Sequence, residues 1–371
     1  MNRNIHIVAF DVPYPPDYGG AIDIFYRLKS LFEAGAKIHL HCFEYHRKRK
    51  DELSRYCQTV NYYLRPSGIR YFFSSVPYIV NTRISKELKN NLLADNHPIL
   101  LEGLHTCQLL TDIRFRERII LVRSHNIEHE YYSNLAELEK NILKRMYFIS
   151  ESKKLKSFEK VLLQAGKILP ISLSDEKYFI SKSFTNTCCI PPFHPYTRCE
   201  TVPGKGEYVL YHGNLSVNEN AAVALFLANN VFSKVKTRCI IAGKNPVKEV
   251  RTIENRFDNI TVISNPQEGQ MNRLISDAHV NILPSFTPTG MKLKLISALF
   301  SGRFCITNGR MIENTGLDEL CLIRESADEM IITINGLMNT SFTPEMIDKR
   351  QKVLELKLSN TANALTIMQL I

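Results

Sequence analysis

Short apolar runs alternate with longer stretches in which apolar residues recur every three or four positions, and the alternation continues along the whole chain. Asn4–Phe10 (NIHIVAF) is a compact run that predicts a buried strand. After a proline-rich loop, Gly19-Gly20 opens a predicted helix over Ala21–Ala34. Its residues Ile22, Phe25, Leu28, Leu31 and Phe32 share one face, and Gly35 ends it. Lys37–Phe43 is the next predicted strand, which completes a βαβ unit. The charged cluster Tyr45–Lys50 predicts the start of a surface helix, and Asn61–Leu64 a strand. Pro98–Leu101 and Ile119–Val122 predict two further buried strands. Residues 128–166, dense in Lys and Glu, predict one or two long helices with solvated faces. Lys167–Ile171 reads as a strand and Ser172–Ser183 as a helix.

Cys188–Tyr208, rich in Pro, Gly and Thr, has the composition of a linker. The rhythm then restarts, with strands at Tyr208–Tyr211, Thr237–Ala242, Ile260–Ile263, Ala278–Leu283 and Phe304–Asn308. Helices are predicted over Asn220–Asn229 and Gln267–Ser276, with a last amphipathic one over Pro344–Ile371. The pattern predicts an α/β fold of two Rossmann-like, doubly wound domains facing a cleft. The expected division is a first domain over 1–190, a linker over 191–206 and a second domain over 207–354. The terminal helix, 355–371, is expected to pack back on the first domain.

Pro284–Gly302 (PSFTPTGMKLKLISALFSG) is the most suggestive stretch. A strand leads into a loop with two prolines and a glycine, and a helix is predicted from Met291 to Gly302. Met291, Leu295, Ala298 and Leu299 share a face, while Lys292 and Lys294 fall in the first turn. A strand, a glycine-bearing loop and a helix N-terminus make an anion site, because unpaired N–H groups and the helix dipole converge there. Lysines in a first turn oppose the dipole, and a bound phosphate would offset that. A buried βα unit with two solvated lysines gives the same pattern.

Composition narrows the classes. With 371 residues, two domains are expected, and 44% apolar and 23% charged residues fit a globular chain. No apolar run reaches the roughly 20 residues of a membrane span. The first apolar stretch is short for a signal peptide, so a cytoplasmic location is expected. The nine cysteines lack a CxxC or Cys/His metal spacing and fit a reducing compartment. The net charge of +10 is uneven: residues 1–170 hold 26 basic and 18 acidic side chains, and 171–371 hold 21 and 19. A basic first half points to an anionic partner, whether a phosphorylated substrate or an anionic membrane surface. No basic–aromatic nucleic-acid module is present, so nucleic acid is not expected. The aromatic–basic stretch Arg65–Arg83 fits core packing better than membrane contact.

In parallel sheets ligands sit beyond the carboxyl ends of the strands, so polar residues there carry weight. Glu102 and His105 follow one strand, and Arg123, Ser124, His125 and Asn126 follow the next. His125 is the leading catalytic candidate of the first half, against the plainer reading of a histidine bonded to backbone.

The order of loops resembles a GT-B glycosyltransferase, specifically family 4 of the retaining nucleotide-sugar enzymes. PPDYGGA after the first strand, RSHN around His125, YHGNLSVNEN opening the second half, and Pro284–Gly302 carry the resemblance. Gly290, Ala298 and Gly302 match the family's Glu–Gly loop pattern, while Thr289 and Ser297 stand where it has glutamates. The resemblance implies that Gly19 and Gly20 let the backbone approach the diphosphate or the acceptor. It implies that His125 faces the anomeric centre, and that Gly213 and Asn214 border the nucleotide. Lys292, Lys294 and Lys244 would replace the basic pair that grips the diphosphate. Thr289 would meet a sugar hydroxyl and Ser297 would stand at the ribose position. Glu102 and His105 would orient the acceptor.

The implied reaction moves a hexose-type sugar from a UDP- or GDP-linked donor to a glycan or lipid-linked acceptor, with retention. It implies neither a cofactor nor a metal ion, and work at the inner face of the cytoplasmic membrane. Two alternatives have the same architecture: a non-catalytic relative that binds nucleotide sugars, and a nucleotide-sugar epimerase.

Overall fold

The computed structural model describes residues 3–286 and 292–371 and divides the chain into two compact units. Among the described residues, the first comprises 3–195 with 360–371, and the second 196–286 with 292–359.

The first unit is built on six parallel strands: β1 (Asn4–Ala9), β2 (Lys37–Glu44), β3 (Thr59–Leu64), β4 (Ile99–Glu102), β5 (Ile120–Ser124) and β6 (Lys167–Pro170). Their order is β3-β2-β1-β4-β5-β6. Because β1, β4 and β5 are buried on both faces, they read as continuous apolar runs rather than alternating ones. One face packs Ile5, Ile7, Leu28 and Leu31 together, and the other packs Val8, Leu101, Val122 and Leu155. Helix Gly19–Glu33 covers the first face, joined there by helix Asn360–Gln369.

The second unit repeats the arrangement with β7 (Tyr208–Asn214), β8 (Arg238–Lys244), β9 (Ile260–Ser264), β10 (Val280–Ile282), β11 (Phe304–Thr307) and β12 (Leu322–Ile323). Its order, β12-β11-β10-β7-β8-β9, is the same winding as the first. The winding reverses between β1 and β4 in one sheet and between β7 and β10 in the other. These are the points where strand ends leave a crevice for a ligand.

Several elements differ from the sequence expectation. Tyr45–Lys50 forms bends before a single turn at Asp51–Arg55, so the basic cluster lies in a loop. The terminal helix is two helices, Pro344–Leu358 and Asn360–Gln369, with extended backbone at Ser359 between them. The 69–73 segment is not core: Phe73 is 84% and Ile69 73% exposed, while Ile79 and Val80 beyond it are buried.

Candidate functional site

Two groups of polar side chains collect at carboxyl ends of strands, one in each unit. In the second unit β7 ends in His212-Gly213-Asn214, and helix Asn218–Asn230 starts just beyond. Gly243 is required by close approach: a Cβ there would lie 1.9 Å from the Gly213 carbonyl oxygen, whereas one at Gly213 would only touch the Asn220 side chain at 3.4 Å. Asn220 ties the strand end down, its Nδ2 donating to the Asn214 carbonyl over 3.0 Å. On the other side of the crevice, Ser285 is held from two directions. Asn308 exchanges hydrogen bonds with its backbone at 2.9 and 2.8 Å, and its Oγ donates to Glu219 over 2.6 Å.

Helix Leu293–Ser301 begins at this crevice with Lys292 as its N-cap residue. The helix starts two residues later than expected, so the lysines sit two positions earlier on it. Lys294 Nζ donates to Asn220 Oδ1 at 3.0 Å and lies 5.5 Å from the centre of the Tyr211 ring. Burial lowers the Lys294 pKa to about 8, with Glu219 pulling it up and Lys292 pushing it down. Lys292 is lowered by burial too, against the pull of Glu219 and Glu313. Burial and then Lys294 bring His212 down to about 3, so its imidazole is neutral, and its Nε2 has no hydrogen-bond partner among the described residues. The crevice thus gathers two lysines, the Glu219 carboxylate, a neutral imidazole and a helix start, with the excess of positive charge suited to a polyanion.

Of the other expected donor contacts, Gly213 and Asn214 belong to this group. Lys244 lies at the exposed end of the neighbouring strand. The expectations for Thr289 and Gly290 lie outside the described residues. Ser297 is engaged by the side chain of Tyr196, which also reaches Ser301. Glu219, Asn220, Ser285 and Asn308 were not anticipated. The available signal was the polar run N-E-N at a helix start directly after a strand.

In the first unit His125 follows β5 and points its Nε2 at Glu102 Oε2, 3.0 Å away. Since a carboxylate only accepts, that nitrogen carries the hydrogen. Glu102 is fully buried and also accepts from Arg27. Arg27 donates to Asp23 over 2.6 Å, and Arg123 grips the same carboxylate with bonds of 3.1 and 2.9 Å. Burial alone would raise the Asp23 pKa, but Arg123 and Arg27 outweigh it and hold the group ionised. Asp23, Glu102 and His125 could by position ligate a cation, their ligand atoms lying within 4.8 Å of one another. Two guanidinium groups already neutralise the carboxylates, so the donor set is not suited to a metal ion. Sequence reasoning anticipated Glu102 and His125 but not Asp23, Arg27 or Arg123. The i, i+4 spacing of Asp23 and Arg27 on the apolar face of the first helix was the usable signal.

His105 and Gly20 belong to the same strand-end region. The Phe10 ring stacks on His105 at 4.8 Å and meets His125 edge-on at 5.6 Å. A Cβ at Gly20 would press on Phe10 at 2.9 Å. Gly103, at φ +66°, takes the left-handed conformation that turns the chain between Glu102 and His105. Gly19 starts the adjoining helix.

Comparison with known proteins agrees with this architecture. Residues 206–340 match the family model described as glycosyl transferases group 1. An uncharacterized 44.6 kDa protein in a cps region of Klebsiella pneumoniae is 28% identical over 331 residues, 84% of each chain. Sucrose-phosphate synthase from Thermosynechococcus elongatus superposes at a TM-score of 0.66 and 17% identity, covering 99% of this chain and 98% of that one. HepE from Anabaena, in complex with UDP and glucose, gives 0.65 at 12% identity, covering 99% and 98%. Residues 206–340 are thus similar to the glycosyl transferases group 1 model, and the chain has the GT-B fold of two Rossmann-like units.

Proposed function

We propose that this protein is a retaining, metal-independent glycosyltransferase that moves a hexose-type sugar from a UDP- or GDP-linked donor to a glycan or lipid-linked acceptor. The observation that carries this reading is the pairing of Lys292 and Lys294 with a helix start at the β7–β10 crevice. Departure of the donor's diphosphate builds negative charge, and these groups stabilise it without reorganising. Loss of one such donor typically raises the barrier by about 3 kcal/mol. Gly213 and Asn214 would border the nucleotide, with Lys244 at the rim. The UDP-bound state of HepE supports a nucleotide donor, and the cps-region relative supports a place in surface polysaccharide or glycoconjugate synthesis.

In the first unit His125 would hydrogen-bond the transferring sugar. Glu102 is enclosed and bonded to His125, so in this reading it orients that ring, while His105 stands nearer the acceptor. Gly19 and Gly20 would admit the acceptor or the diphosphate close to the backbone. The departing phosphate would take the acceptor proton. An anionic membrane face is the proposed setting, in keeping with the basic first half.

The test is nucleoside diphosphate release from a panel of UDP- and GDP-sugars with lipid-linked acceptors, with the anomeric configuration read by NMR. No release from any donor would overturn the reading, and inversion would overturn retention. A second reading, a non-catalytic nucleotide-sugar binder, draws support from Ser297, which is engaged by Tyr196. Tight nucleotide binding without turnover, indifferent to His125→Ala, is its signature.

A further inference from the structure

We propose that Arg65 and Arg83 form a subsite for the phosphate group of a lipid-borne acceptor. This rests on the transferase reading and names the chemical class of its acceptor.

Arg83 is nine-tenths buried at the same strand-end region as His105 and His125. Its Nε donates to the Phe10 carbonyl over 2.8 Å and its Nη1 to that of Ile79 over 2.6 Å. Among the described residues its Nη2 donates to no protein atom and the guanidinium forms no ion pair, Asp11 and Glu128 acting on it only from beyond contact, an arrangement that leaves room for an anion from outside. Arg65, a second cation without an ion pair among the described residues, is fixed beside it by a 2.9 Å bond to Thr82 Oγ1 and by the Tyr45 and Tyr78 rings. Between Glu52 and Glu87 the sequence has no acidic residue at all. The nearby carboxyl of Glu128 is raised to about 7 by burial, against the pull of Arg83, so it can become neutral beside an anion. Two guanidinium groups suit a phosphate, which accepts several charge-assisted bonds at once.

The lipid part of the proposal comes from what adjoins the arginines. Tyr78, under Arg65, stacks on Phe72 at 4.4 Å, and Phe72 meets Tyr147 of helix Ile142–Phe158 at 5.2 Å. From there an apolar surface opens to solvent: Phe73 is 84%, Leu143 79%, Ile142 74% and Met146 63% exposed. At 100° per residue, Ile142, Met146 and Ile149 form one stripe, with Arg145, Lys153 and Lys156 along the same side. The only acid of that helix, Glu151, is buried. An apolar stripe flanked by cations suits the surface of an anionic bilayer. A phosphate held at Arg65 and Arg83 would then keep its hydrocarbon in the bilayer.

The test titrates inorganic pyrophosphate into the full chain carrying Lys292→Ala, which weakens the competing site of the second unit. Flotation with phosphatidylcholine vesicles, with and without farnesyl diphosphate, is measured alongside. Arg83→Gln and Arg65→Gln are each expected to weaken pyrophosphate binding at least tenfold, with Arg83→Lys recovering part of it. Phe73→Ser with Leu143→Ser should leave pyrophosphate affinity unchanged and abolish the extra flotation caused by farnesyl diphosphate. Unchanged affinity in both arginine variants overturns the subsite, and the less buried Arg65 keeps this decisive should Arg83→Gln fail to fold. Pyrophosphate binding without vesicle recruitment, or self-association that Leu143→Ser removes, overturns the lipid assignment. Loss of UDP and GDP binding in the parent chain would sink the transferase reading alone, because it does not involve these arginines.

Discussion

Donor binding should weaken as pH rises through the Lys294 titration, and the size of the effect follows from its surroundings. Burial holds the Lys294 pKa at about 8 in the free protein, the Glu219 carboxylate raising it and Lys292 lowering it. A bound diphosphate supplies the missing counter-charge and stabilises the protonated amine. If the bound-state pKa returns to the ordinary lysine value, affinity at pH 9 should be about tenfold below that at pH 7, roughly 1.4 kcal/mol. Isothermal titration calorimetry with UDP or GDP between pH 7 and 9 measures this directly. The control is Lys294→Arg, whose guanidinium does not deprotonate in this range, so its affinity should change only through the nucleotide's own titration. Parallel weakening of the wild-type chain and Lys294→Arg would refute the argument, as would a flat wild-type profile. Lys294→Ala should bind weakly at every pH. Stability runs the other way. A lysine whose folded pKa is depressed makes the folded state bind fewer protons than the unfolded one between about 8 and 10.4, so unfolding becomes harder as pH rises across that window.

Three further outcomes are expected. Glu102→Gln leaves Arg27 with half of its compensation in a fully buried site, and breaking such a network by one partner should cost about 3–5 kcal/mol in urea denaturation. Gly243→Ala places a methyl within 1.9 Å of the Gly213 carbonyl oxygen, so the β7 and β8 ends must separate, and nucleotide protection in a thermal-shift assay should disappear. His6 and His41 are lowered by burial to about 4 and about 3, with Asp95 pulling His6 up while Arg118 and His39 push it down. Both stay neutral in the fold while the unfolded chain takes up protons below about 6.5, so stability should fall between pH 6.5 and 4. His6→Gln should flatten that slope when the urea midpoint is followed against pH.

The strands were legible because a doubly covered parallel strand must be apolar on both faces, and runs such as NIHIVAF and YVLY have few other uses. The helix starting near Lys292 was legible for a related reason: an apolar stripe of Leu295, Ala298 and Leu299 next to a glycine stop fixes its register. What stayed hidden involves side chains whose partners come from elsewhere in the chain. Glu219 and Asn220 look like ordinary first-turn residues until Ser285 and Lys294 arrive across the crevice. Asp23 and Arg27 interrupt the apolar face of their helix, and only pairing with Arg123 and Glu102, 100 and 75 residues away respectively, makes that tolerable. The 69–73 segment misled because aromatic residues usually go inside, and sequence does not say which face of a loop they will find.

The buried quartet Asp23, Arg27, Glu102 and Arg123 invites an argument about purpose. Its two carboxylates and two guanidinium groups cancel in charge, yet taking four ions out of water costs several kcal/mol each, and apolar side chains of similar volume would commonly leave a fold as stable or more so. Stability is therefore a poor reason for the quartet to sit at the carboxyl ends of β4 and β5. Orientation is a better one. Every donor of Arg123 that reaches Asp23, and the Arg27 bond that joins Asp23 to Glu102, removes a degree of freedom from the carboxylate that accepts the His125 Nε2 hydrogen. With that hydrogen fixed, Nδ1 remains the acceptor, and it is the ring nitrogen without a hydrogen-bond partner among the described residues. The network thus sets the tautomer of the one imidazole that follows β5, which a core of leucines filling the same space would leave undetermined.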